Sequence, residues 1–77
     1  MVNMNNPFEE VDKEALLYFI TRTKKYGNSW MTMPLHDLQT KLQEECAELL
    51  EKHDIVKIHE LALDVLNTAR MIAERTK

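Results

Sequence analysis

The chain holds one glycine, Gly27, and two prolines, Pro7 and Pro34, in 77 residues. A many-stranded sheet needs a tight turn every few residues, and tight turns draw heavily on Gly and Pro. Such scarcity leaves room for a few long helices, so the expected fold class is all-α. The apolar periodicity agrees. Phe8, Val11, Ala15, Tyr18 and Phe19 recur at helical spacing, with Leu16, Leu17 and Ile20 widening the stripe. Asn6-Pro7-Phe8-Glu9 offers a cap, a first-turn proline and the acid of a capping box, and Lys24, Lys25 and Gly27 suit a helix end. These signals predict a first helix over about 7–25. A second, over 34–52, is lined by Leu35, Leu38, Leu42 and Leu49; a third, over 55–75, by Ile58, Ala62, Val65, Ala69 and Ile72, with Asp54 as its cap. The break at 53–54 makes the last two an antiparallel hairpin. Residues 27–33, with Tyr26 at the edge and Trp30 at the centre, form the one loop of any length.

A single domain of this size buries only about 60% of the surface its unfolded chain exposes, and such chains usually need a staple. One cysteine, Cys46, excludes an internal disulfide and points to a reducing compartment. The first residues have neither a basic nor an apolar leader region, and no apolar run approaches the roughly 20 residues that span a bilayer. The expectation is therefore a cytoplasmic protein, without membrane association, stabilised by a metal or by a second subunit. Ten Lys and Arg against 13 Asp and Glu give a net charge of −3, which disfavours a phosphate-backbone binder and hence nucleic acid. His36, His53 and His59 stand at no metal-ligand spacing from one another, and there is no glycine-rich phosphate loop. Zinc, nucleophilic-triad and P-loop chemistries are thereby left without support.

The apolar stripe of the second helix skips a beat at Glu45, with Glu48 one turn on and Glu44 alongside. In the third helix Asp64 sits among Leu61, Leu63, Val65 and Leu66, with Glu60 one turn before and Asn67 one turn after. Across a hairpin turning at 53–54, Glu45 and Glu48 can face Glu60 and Asp64. Carboxylates converging in this way repel one another, and a hard divalent cation, Mg²⁺ or Mn²⁺, relieves the repulsion. The plainer reading is a solvated face of ion pairs: Lys41 with Glu45, Glu48 with Lys52, Lys57 with Glu60.

At these residues the sequence resembles the MazG-type all-α nucleoside triphosphate pyrophosphatases. Their Glu-Glu-x-x-Glu is matched by Glu44, Glu45 and Glu48, and the last acid of their Glu-x-x-Asp by Asp64. The small phage-like and archaeal members also read like Lys25-Tyr26-Gly27-Asn28-Ser29-Trp30 and Asp64-Val65-Leu66-Asn67. The resemblance covers about residues 20–74. It implies a three-helix antiparallel unit assembled as an oligomeric bundle, a dimer or tetramer, and Mg²⁺-dependent hydrolysis of nucleoside triphosphates to monophosphate and pyrophosphate. It implies Glu45, Glu48 and Asp64 as metal ligands and Glu44 as an acid orienting the attacking water. Asn67 would lie near base or sugar, Trp30 and Tyr26 against the nucleotide, and Lys24 or Lys25 at phosphates. One position departs from the pattern: the family's acid falls at 61, where this chain has Leu61, and two outcomes stay open, Glu60 substituting as a ligand by sharing the face of Asp64, or Glu60 pointing to solvent and leaving a three-carboxylate site.

Two alternatives stay open at this point. Trp30 can be a hydrophobic plug, and the lysines mere helix-end charges in water. The whole chain can likewise be a non-catalytic nucleotide-binding or dimerisation module with a degenerate metal site, the reading that Leu61 favours.

Overall fold

A computed structural model describes residues 6–77, the side chain of Tyr26 excepted. Three helices follow in order: α1, Glu9–Tyr26; α2, Leu35–Glu51; and α3, Ile55–Thr76. A single 3-10 turn, Ser29–Met31, lies between α1 and α2, and no strand occurs among the described residues. The protein is all-α, and each helix falls within two residues of its expected bounds at either end.

The start of α1 differs from the expectation. Its cap position is Phe8 rather than Asn6, and no side chain caps it. Asn6 acts one step earlier: its Oδ1 accepts the Phe8 amide at 2.9 Å, and its carbonyl accepts the Glu9 amide at 3.2 Å. Residues 6–8 thus make a turn leading into the helix, as Asn and Pro do when the side chain competes for the backbone. Asp54 holds the cap position of α3, also without a side-chain bond. At the far end of α1, Gly27 adopts φ 77 and ψ −169, a conformation essentially reserved for glycine. Its amide bonds the Thr23 carbonyl at 2.8 Å and closes the helix.

Helix α3 packs chiefly against α2, less extensively against α1, and also meets the 3-10 turn. Being held from two sides, it buries a different set of residues from a helix with one inner face. Leu63, Asn67 and Thr68 are its buried positions, whereas Ala62 and Ala69, placed on the inner stripe by spacing alone, are exposed. Among the described residues the buried apolar set is small: Ala15 of α1, Leu38 of α2 and Leu63 of α3. Much apolar surface remains outside, including Leu17 at 65% exposure and Leu50 at 83%. The radius of gyration is 13.9 Å, against about 11.5 Å for a compact chain of 77 residues. Helix α1 is tied to α3 by polar contacts: Asn67 Nδ2 donates to the Ala15 carbonyl at 3.0 Å, Arg70 pairs with Asp12 at 2.9 Å, and His59 meets Glu14 at 2.9 Å.

Candidate functional site

Two hollows share one wall where the three helices meet. The first, a cavity of about 290 Å³, is mainly apolar and is lined among others by Phe19, Trp30, Met33, Leu38 and Met71. The second is lined by Asp37, Glu44, Glu48 and Leu61. Arg22, Lys41, Glu45 and Asp64 line both. The α2–α3 hairpin sets Glu45 opposite Asp64, and the end of α1 brings Arg22 over them.

Glu45 and Asp64 are the sheltered acids of the site. Their side chains are 12% and 19% exposed, against 43% for Glu60. Glu45 pairs with Lys41, one turn back on α2, at 3.4 Å, and the Thr68 side chain of α3 lies beside it and favours its charged form. Its Oε1 is nonetheless buried with no partner among the described residues. Burial pushes the Glu45 carboxyl above its ordinary 4.5; the Thr68 side chain and the Lys41 charge pull the other way, and the charge of Asp64 adds to the rise. Burial likewise raises Asp64 above 3.8, opposed by the charges of Arg22 and Lys41 and reinforced by those of Glu48 and Glu60. Arg22 lies 3.5 Å from Asp64; it also donates to the Tyr18 hydroxyl at 2.8 Å and stands 4.9 Å from the centre of that ring.

The structure brings together Glu44, Glu45, Glu48 and Asp64 around the second hollow. It does not bring Glu60 there. That side chain pairs with Lys57 at 3.9 Å, and Leu61 takes the place on the hollow's wall. Around the helix Glu60 lies about 40° to one side of Asp64 and Leu61 about 60° to the other, and the hollow opens on the Leu61 side. Trp30 lines the first cavity, edge-on to Phe19 with ring centres 6.0 Å apart, and its indole N–H is buried without a partner. Asn67 lines the same cavity, but its amide nitrogen is engaged by the Ala15 carbonyl. Lys25 is exposed in the last turn of α1 and does not line either hollow. The side chain of Tyr26 lies outside the described residues.

Sequence reasoning missed Arg22 and Thr68. Thr68 carried a signal, being a polar residue one turn after Asp64 on the most apolar stretch of α3. Arg22 carried none, because its reach to Asp64 depends on how the 3-10 turn returns the chain.

Among the described residues, no three His, Cys, Asp or Glu side chains are grouped so as to hold a metal ion. The donors themselves suit a hard cation: oxygen ligands only, two of them raised by burial, one with an orphaned buried oxygen. Compared with protein-family models, with curated proteins and with solved structures, the chain matches none.

Proposed function

We propose that the chain is a Mg²⁺-dependent nucleoside triphosphate pyrophosphohydrolase of the MazG-like type, working in a cytoplasmic homo-oligomer. One observation carries this reading. Glu45 and Asp64 sit half-sheltered on the wall between a Trp-lined apolar cavity and a carboxylate-lined hollow, and one buried oxygen of Glu45 has no hydrogen-bond partner among the described residues. A nucleotide has the same two halves, a flat apolar base and a polyanion that needs cations.

Glu45, Glu48 and Asp64 would hold Mg²⁺ or Mn²⁺. A divalent cation there supplies the positive charge and Lewis acidity that triphosphate hydrolysis among carboxylates requires. Glu44, which lines the second hollow, would accept the proton of the attacking water as its oxygen bonds the α-phosphorus and the bond from that phosphorus to the α–β bridging oxygen breaks, releasing pyrophosphate. Lys41 and Arg22 stand beside Glu45 and Asp64 in the unliganded protein, and both would turn toward phosphate oxygens once those acids are otherwise engaged. Trp30 and Phe19 wall the base. Glu60 keeps its pair with Lys57 in this reading and is no ligand.

Oligomerisation is supported by the three-residue apolar core, the large radius of gyration and the exposed apolar side chains of α1. A sedimentation mass of two or four chains is expected.

A second reading, a non-catalytic nucleotide-binding or dimerisation module, has its own support. Lys41 and Arg22 already neutralise both sheltered acids, and Leu61 stands where a fourth ligand is needed. The two separate in one assay: release of pyrophosphate and monophosphate from a panel of NTPs and dNTPs, with Mg²⁺, Mn²⁺ or EDTA. Metal-dependent release of both products supports the enzyme. A folded protein that turns over none of the panel leaves the module.

A further inference from the structure

Arg75 stands in the last turn of α3, where any cation suits the helix dipole. The dipole accounts for the charge but not for where the guanidinium goes. It is half-buried, and one nitrogen, Nη1, donates to two carbonyls more than 40 residues away in sequence: Trp30 at 3.1 Å and Met33. Both acceptors belong to residues that line the apolar cavity. The two hydrogens of one amino group are therefore spent on the middle and the far end of a single short wall.

That wall begins after Gly27, whose backbone conformation is reserved for glycine, and ends at Pro34, and its own bonds are local: those of the 3-10 turn, the Met33 amide to the Ser29 carbonyl and the Thr32 hydroxyl to the same carbonyl. Its ring contact is Trp30 against Phe19. Hydrogen bonds to a charged donor are about twice as strong as neutral ones and more directional, so the Arg75 bonds fix the wall's height over the cavity. We propose that Arg75 is a positioning residue for this cavity: from the far end of α3 it holds Trp30 and Met33 in the closed wall, and so sets what the cavity accepts. The claim about the wall stands on geometry alone; only its kinetic consequence rests on the nucleotide reading.

Trp30 is the chain's one tryptophan, which makes its fluorescence a local reporter. The test compares the full chain with Arg75→Met, which keeps the apolar stem and removes the donors, with Arg75→Lys, and with Arg70→Met, which breaks the comparable ion pair to Asp12. Arg75→Met should shift Trp30 emission to longer wavelength and raise its quenching by acrylamide, at unchanged helix content. Arg75→Lys should recover part of the shift, and Arg70→Met should show none. With whichever nucleotide is turned over, Arg75→Met should raise KM about tenfold, as lost charged hydrogen bonds would, and change kcat less. An unaltered Trp30 spectrum in Arg75→Met, or an equal shift in Arg70→Met, overturns the proposal. If no nucleotide is turned over, the hydrolase reading fails while the emission comparison still decides the role of Arg75. If Arg75→Met loses its helices, the wild-type guanidinium protons decide: slowed exchange with water supports the clamp, and free exchange overturns it.

Discussion

Replacing Glu45 by Gln separates the cost of the site from its use. The substitution keeps volume and shape and removes one charge. In the free protein that charge is sheltered from water, with one oxygen unsatisfied, and burial raises the carboxyl above its ordinary value. Relieving a buried, under-bonded charged group is worth about 1–3 kcal/mol. Against this stands the i,i+4 pair with Lys41, whose ammonium is half-exposed and can return to water at a cost of about 0.3–0.5 kcal/mol. The neighbouring Thr68 hydroxyl is still served, because an amide carbonyl accepts as a carboxylate does. The net expectation is a gain of about 1 kcal/mol, or a rise in Tm of about 4–8 °C for a domain of this size. The assay is thermal and urea unfolding by circular dichroism at neutral pH in EDTA, at one fixed protein concentration. Added Mg²⁺ should raise the Tm of the wild type and leave Glu45→Gln where it was, since only a state that binds the ion is stabilised by it. Pyrophosphate release should be abolished in the same variant. A Tm lowered by Glu45→Gln in EDTA would mean that Lys41 and Thr68 outweigh the burial of the charge, and the reasoning from the orphaned oxygen would be wrong.

Three more outcomes are expected. Gly27→Ala should cost about 1–3 kcal/mol, read as a lower urea midpoint at unchanged slope: a Cβ there meets nothing within 4 Å, so all of the cost lies in the backbone angle. Asn67→Ala should cost about 1–3 kcal/mol by stranding the Ala15 carbonyl between α1 and α3, and a loss of substrate affinity without any loss of stability would show that Asn67 serves the ligand instead. In metal-free protein, Glu45 and Asp64 bind protons more tightly folded than unfolded, so their contribution to stability is greatest at low pH and falls as pH rises from the ordinary values of 4.5 and 3.8 through the raised folded ones; Glu45→Gln with Asp64→Asn should flatten that slope in a pH series of urea midpoints.

The helices were legible because few residues could interrupt them, and Gly27 and Pro34 mark the two ends of the connecting segment as their chemistry requires. The acids Glu45 and Asp64 were legible because each breaks an apolar stripe, and a broken stripe is a statement about what faces inward. The rotation of α3 was not legible. A helix gripped from two sides has no single inner stripe, so Ala62 and Ala69 read as buried when Asn67 and Thr68 are. The place of Glu60 was lost for a related reason: sharing a face within tens of degrees does not decide which of Glu60 and Leu61 points across a seam. Arg22 and Arg75 were beyond reach, because each acts on a residue more than 40 positions away through a turn whose path the sequence does not spell out.

The bond between Asn67 and the Ala15 carbonyl spans 52 residues, while the hairpin of α2 and α3 closes through three. At a synthesis rate of about 5–20 residues per second, Ala15 is added to the chain about 3–10 s before Asn67. Through that interval α1 lacks the bond that ties it to α3, and its Leu16, Leu17 and Ile20, which stay exposed in the folded chain, face water with no partner subunit yet made. The nascent helix is thus the stage at which this chain is most open to chaperones, or to a neighbouring copy emerging on the same message.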